Sequence, residues 1–221
     1  MQIPDRMAGR LVQWRKVRAQ HRRRRQWVRQ RHQKSPGFRT AVVADTRVAL
    51  RSRGEDVGEQ LGGAALAAEA LRLSVTTDAF LAQVLYRGRV ALLRRGIPAL
   101  PGLCHSVSMM TSSTCIGDPV VIQPGLYLPH GQVVVDGITD VGAGVTIAPF
   151  VTIGLKAGNF QGPSIGDGVH VGTGSRIIGP QQVGTRARIG ANAVVTADVR
   201  PGDTVVGVPA RSIGASTPAP A

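Results

Sequence analysis

From Val141 the chain, cut every six residues, reads VGAGVT, IAPFVT, IGLKAG, NFQGPS, IGDGVH, VGTGSR, IIGPQQ, VGTRAR, IGANAV, VTADVR. Nine of the ten opening positions (Val141, Ile147, Ile153, Ile165, Val171, Ile177, Val183, Ile189 and Val195) are Val or Ile, and Asn159 is the exception. Upstream, Ile116, Ile122 and Leu128 keep the same spacing, and Val135 resumes it after a slip of one residue close to His130. A period of six matches neither the turn of a helix nor the alternation of one long strand. It suits short strands joined by regular corners, with one β-branched side chain per flat side pointing into a narrow core and Gly or other small residues at the corners. Each coil of such a chain has an uncovered face until the next coil stacks on it, so residues 115–213 are expected to form a parallel β-solenoid.

The composition agrees with that core. Four Phe, two Trp and two Tyr in 221 residues leave few rings to pack. No apolar run reaches the ~18 residues that a bilayer span needs. The formal charge of +14 is concentrated at the start: residues 1–34 hold twelve Lys and Arg against Asp5, leaving +3 for everything after them. Arg22 to Arg25 fall where a secretory signal would carry its apolar stretch, which makes a cytoplasmic setting the expectation. Cys104 and Cys115 form no C-x-x-C pair and have no His at metal-finger spacing, so neither a disulfide framework nor a metal site is expected.

Residues 1–36 read as an Arg-rich arm that is cationic and helical from about Arg6, ended by Ser35-Pro36-Gly37. A chain beginning at Ser35 is expected to fold without it. Residues 37–114 read as an α-helical region, with helical spacing over 38–53 and 56–73. Thr77-Asp78 stands as the N-cap of a helix carrying Phe80, Leu81, Val84, Leu85 and Leu92, and a last short helix runs to about Met110. Residues 214–221 are expected to be a flexible tail.

The repeats, the join Ile116-Gly-Asp-Pro-Val-Val-Ile122-Gln-Pro-Gly-Leu-Tyr-Leu-Pro-His130-Gly and the closing Gly207-Val-Pro-Ala-Arg211 resemble the hexapeptide-repeat acyltransferases, most closely the serine acetyltransferase branch. The resemblance covers about residues 38–213 and implies a left-handed parallel β-helix with three hexads per coil, preceded by an α-helical N-terminal region. It implies an acetyl-CoA-dependent O-acetyltransferase acting on a small hydroxyl acceptor, with no metal. The assembly it implies is a homotrimer or a dimer of trimers with each active site between neighbouring β-helices. His130 stands at the family's general-base position, where a neutral imidazole takes the proton of the acceptor hydroxyl as its oxygen attacks the thioester. The loop of Asn159, Phe160 and Gln161 matches the acceptor pocket. Thr173 and Ala191, at Gly-x-Gly and Gly-x-Asn corners, match the backbone contacts to the pantetheine arm; Gly154 opens the acceptor loop, and Arg188 and Arg211 are candidates for the cosubstrate phosphates.

Three positions depart from the family pattern. Cys115 stands where an Asp orients the base, Pro129 where an Asp often precedes the catalytic His, and Gln161-Gly162 where an Arg-His pair helps to bind serine. A neutral thiol cannot stabilise an imidazolium as a carboxylate does, so Asp136 and Asp140 join Cys115 as base-orienting candidates. With the charged pair missing, the expected acceptor extends from serine to a modified amino acid, a sugar or a biosynthetic intermediate. Two other readings stay open: a non-catalytic binding or scaffold protein with the same fold, and an acyltransferase whose acceptor is carried by a nucleic acid bound through residues 6–34. A carbonic-anhydrase-like zinc site on the same solenoid would need three His, and the repeats offer His130 and His170.

Overall fold

The computed structural model describes residues 19–55 and 62–215. In chain order, a helix over 19–31 (α1) passes into a 3₁₀ turn at His32–Lys34, followed by α2 (Phe38–Ser52), α3 (Gly63–Thr76), α4 (Phe80–Arg95) and α5 (Leu100–Ser112). None of the helices among the described residues is long and apolar enough to cross a membrane.

From Cys115 onward the chain coils as a left-handed β-helix with three parallel faces. Face one stacks Cys115–Ile116, Val134–Val135, Thr152–Gly154, Arg176–Ile178 and Val194–Val195; face two stacks Val121–Ile122, Ile138–Val141, Gln161–Ile165 and Gln182–Val183. Face three stacks Thr146–Ile147, His170–Val171, Arg188–Ile189 and Asp203–Val206, and Arg211–Ala215 pairs antiparallel to the last of these. The stacking register places the hexad openings in vertical columns. Ile116, Val135, Ile153, Ile177 and Val195 form one, and Ile122, Val141, Ile165 and Val183 a second. Ile147, Val171 and Ile189 form the third, which Val205, outside the hexad series, extends. All are buried. The fifth hexad position is buried too, at Val145, Val151, Val169, Ser175, Ala187 and Ala193, so each corner closes over a second, smaller side chain. That second inward position was absent from the sequence reading, because Val, Ser and Ala share no hydrophobic signature.

The open top of the solenoid is covered by α4. A β-helix ends in a coil whose backbone groups have no further coil to bond, and unpaired buried groups are costly. Gln83 Nε2 donates to Leu126 O (3.1 Å) and its Oε1 accepts from Leu128 N (2.7 Å). Tyr86 Oη donates to Val120 O (2.9 Å) and accepts from Ile122 N (3.2 Å). Arg87 donates to Ile122 O and Gln123 O and is paired with the buried Asp45 of α2 (2.8 Å), which itself accepts from Gly125 N and Leu126 N.

Three expectations need correction. Asp78 does not cap α4: the N-cap is Ala79, without a side-chain bond, and Asp78 reaches across to the first coil instead. The arm is not a loose appendage, because its end is bonded to that coil. His32 is fully buried, with Nε2 on Asp118 O (2.7 Å) and Nδ1 on Ser35 Oγ (3.0 Å), and Arg31 donates to Pro119 O, Thr139 O and Asp140. At the other end the chain remains a strand through Ala215, so the expected tail boundary at 214 is too early; the rest of the tail, the arm before residue 19 and positions 56–61 of the expected second helix lie outside the described residues.

Candidate active site

His130 occupies the corner between faces three and one of the first coil, where the extra residue between Leu128 and Val135 is accommodated. Its side chain is 68% exposed, and Nδ1 lies 3.3 Å from Asp78 Oδ2. The same carboxylate oxygen accepts from Gly131 N (3.2 Å). Position 131 has no room for a side chain, since a Cβ would sit 2.0 Å from Ser112 O. Gly131 therefore allows the corner to press against the end of α5 and turns its N–H toward Asp78. Around His130 is a depression of about 380 Å³ bounded by Asp78, the Thr111–Ser113 turn, Gln132, Pro149 and Phe150. Ser113, Gln132 and Phe150 all have φ between 52° and 63°, the left-handed region that non-glycine residues seldom adopt.

The corners below His130 continue the same edge. Phe150 N bonds Gln132 O (2.9 Å), Gly174 N bonds Pro149 O (3.0 Å) and Asn192 N bonds Thr173 O (2.8 Å). Thr173 and Ala191 thus stand in one exposed column that starts at the His130 depression, and Gly207–Arg211 closes the solenoid below them. Arg211 is exposed at that end. Arg188 is elsewhere: it projects from face three between His170 and Thr204.

The other candidates lie on the edge between faces one and two. Gly154 ends a face-one strand, and the chain then leaves the helix for a loop that lengthens the coil by one hexad before face two resumes. Asn159 and Phe160 belong to this loop, with Phe160 80% exposed. Asn159 is solvent-facing and its Oδ1 accepts from Gln161 N (2.9 Å), so it does not enter the core. The acceptor loop expected over Leu155 to Ser164 is shorter than that, because Gln161 is already in the strand, in register with Ile138.

None of the three base-orienting candidates serves His130 within one chain. Asp140 is ion-paired with Arg31 (3.0 Å). Asp136 and Cys115 line a different cavity, together with Arg89, His105 and Phe160. Burial raises the Cys115 thiol above its usual pKa, and the Asp136 charge adds to the rise, so this sulfur does not replace a carboxylate. The carboxylate that touches His130 is Asp78, 52 residues away in sequence. A Thr-Thr-Asp before an apolar helical run reads as a cap, and no local signal could have connected it to His130. His170, the second His of the zinc alternative, is on face three in register with Thr146 and is not among the residues around the His130 depression.

No family model matches the chain. Its sequence is 38% identical over 132 residues to a serine acetyltransferase of Mycobacterium tuberculosis, a match spanning 58% of each chain. It is 36% identical over 137 residues to a serine acetyltransferase of Helicobacter pylori, covering 60% of this chain and 75% of that one. The chain belongs to the serine acetyltransferase family. The solved serine acetyltransferase of Neisseria gonorrhoeae in complex with serine superimposes with a TM-score of 0.65 at 28% identity, over 79% of this chain and 68% of that one. Against this family background the departure at Gly162 has a structural cause. Gly162 is buried in the face-two strand, and a Cβ there would lie 2.1 Å from Thr139 Oγ1. A His cannot be carried at this position while Thr139 stays where it is.

Proposed function

We propose that the protein transfers the acetyl group of acetyl-CoA to the hydroxyl of a small serine-like acceptor, with His130 as general base and Asp78 as its positioning residue. The observation that carries this reading is the contact between Asp78 and His130 at the open corner. With Nδ1–H donated to the carboxylate, the neutral ring keeps its lone pair on Nε2, the nitrogen free to take a proton. The acceptor's O–H proton moves to Nε2 while its oxygen bonds to the thioester carbonyl carbon. The oxyanion formed then collapses, the C–S bond breaks, and the imidazolium returns its proton to the departing sulfur. Thr173 and Ala191 are placed to hold the pantetheine arm by backbone groups, because their column leads into the His130 depression. Arg211, at the foot of that column, is assigned to the cosubstrate phosphates; Arg188 points from another face and is not assigned this role.

The complete site takes two copies. His130 lies on one edge of face one, and Asn159 and Phe160 on the other, with about 10 Å of strand between. A neighbouring β-helix in a trimer brings the acceptor loop of one copy to the base of the next. The acceptor carboxylate has no cation waiting at Gly162 or Gln161, which favours acceptors related to serine over serine alone.

The test is thiol release from acetyl-CoA with serine, homoserine, threonine and a panel of amino sugars. His130→Ala should lower turnover about 10²–10⁴-fold while coenzyme A binding persists. Undiminished turnover in that variant overturns the mechanism, and no turnover with any acceptor despite coenzyme A binding favours the scaffold reading.

A further inference from the structure

The corners between faces three and one repeat one backbone conformation. Gln132, Phe150, Gly174 and Asn192 stand at successive corners, all with φ between 57° and 70°. Glycine adopts this left-handed region without strain and asparagine with little, whereas a bulky side chain there is an outlier. The two corners away from His130 use Gly174 and Asn192; the two that bound its depression use Gln132 and Phe150, and Phe150 is the bulkier. The coil therefore has no need of a Phe at this position, and Gly174, one coil below, shows what would serve.

Packing does not select Phe150 either. The ring is 57% exposed and belongs to neither cluster of the buried core. The backbone is held by bonds that do not involve the side chain. Phe150 N donates to Gln132 O, Pro149 O accepts from Gly174 N and Thr173 Oγ1 (2.9 Å), and Phe150 O accepts from Arg176 Nη1 (2.8 Å). Strain that the surroundings over-determine in this way collects at working sites. What distinguishes Phe150 is its place. It bounds the His130 depression on the side where the Thr173 and Ala191 column enters, and it and Pro149 are the apolar side chains there; every other bounding residue is polar or glycine.

We propose, on the reading of His130 as general base, that Phe150 is a specificity-determining residue of the transfer, whose ring covers the acyl group and keeps water from taking the acceptor's place. A base that takes the proton of a serine-like hydroxyl can take one from water as well. The water proton passes to Nε2, its oxygen bonds to the thioester carbon, the C–S bond breaks and the proton returns to sulfur, leaving acetic acid and the coenzyme A thiol. An apolar ring over the methyl and carbonyl groups disfavours that course, because water approaching from the open side has no room beside them.

The experiment measures thiol release from acetyl-CoA with and without an acceptor, for wild type, Phe150→Gly and Phe150→Tyr. The acceptor is whichever of serine, homoserine, threonine and the amino sugars wild type turns over best. In Phe150→Gly the ratio of acceptor-independent to acceptor-dependent release should rise at least about tenfold. Its unfolding temperature should hold or rise, because Gly relieves the left-handed backbone. Phe150→Tyr, with the ring retained, should keep the ratio near that of wild type. An unchanged ratio in Phe150→Gly, with wild type active, overturns this proposal alone. A lower unfolding temperature or weakened assembly in Phe150→Gly also overturns it, since the ring then serves packing between copies. No thiol release by wild type with any acceptor overturns the general-base reading and this proposal together.

Discussion

At the scale of single residues, His130 was legible and its partner was not. The hexad phase slips once, and a residue inserted in a regular solenoid has to bulge outward; His130 does so, with its side chain largely exposed. Asp78 belongs to a different level of organisation, since its contact exists only because α4 docks across the first coil. Of the three orienting candidates read from the sequence, Cys115 came from the family position of the orienting Asp and Asp136 and Asp140 as carboxylates that could replace it, and within one chain the solenoid sets all three apart from His130. In the proposed mechanism Asp78 holds the tautomer that leaves Nε2 free, through a partly exposed contact of 3.3 Å. Asp78→Asn should therefore reduce kcat by about 10–10²-fold with a smaller change in KM. Asp78→Glu should recover part of the loss, a rescue not expected if the residue only supported the fold. Steady-state kinetics of the two variants make the comparison.

At the scale of elements, the hexad openings locate the strands from Cys115–Ile116 to Val194–Val195, though not Asp203–Val206 or Arg211–Ala215, because their pattern is set by burial, and burial is what sequence hydrophobicity reports. The fifth hexad position is equally buried but tolerates anything small, so it left no readable pattern. Ser175 is the exception among its equivalents: Val169, Ala187 and Ala193 are apolar, whereas the Ser175 hydroxyl is fully buried and has no hydrogen-bond partner. Ser175→Ala removes the unsatisfied group and leaves almost no cavity, and should stabilise the β-helix by about 1 kcal/mol in denaturant unfolding. A destabilisation of that size would show that the hydroxyl is bonded after all. The helices were found near their observed places, but the role of α4 was not, because the sequence assigns its apolar residues Phe80, Leu81, Val84, Leu85 and Leu92 and gives no sign of what Gln83, Tyr86, Arg87 and Arg89 bond. They are instead the groups that satisfy the first coil's backbone.

At the scale of the whole molecule, the concentration of charge at the start of the chain suggested a separable arm. That inference took a compositional boundary for a structural one. Val28 is buried, and Arg31 and His32 reach into the first coil. A chain starting at Ser35 loses these contacts and exposes Asp118 O and Thr139 O, so it should unfold at a lower temperature than the full chain, the opposite of what composition implied. The anchoring also carries a pH dependence of definite sign. His32 Nε2–H donates to Asp118 O, and Nδ1 is bonded to Ser35 Oγ, a hydroxyl able to donate to the neutral ring, while burial disfavours the charged one. Burial first, and then the charges of Arg89 and Arg31, depress its pKa below 6.5 against the opposing pull of the Asp118 carbonyl and carboxylate. The unfolded chain binds a proton near pH 6.5 that the folded chain resists, so this contribution is fully present above that pH and is lost as pH falls toward the depressed folded value. His105 and His170 are shifted in the same direction by burial and add to the slope, so the decisive quantity is a difference. Unfolding temperature measured from pH 8 to pH 5 should fall less steeply in His32→Gln than in wild type, with the two curves converging at the acid end. Parallel curves would show that His32 titrates in the folded protein as freely as in the unfolded chain, and that the arm is held by Arg31 and Val28 alone.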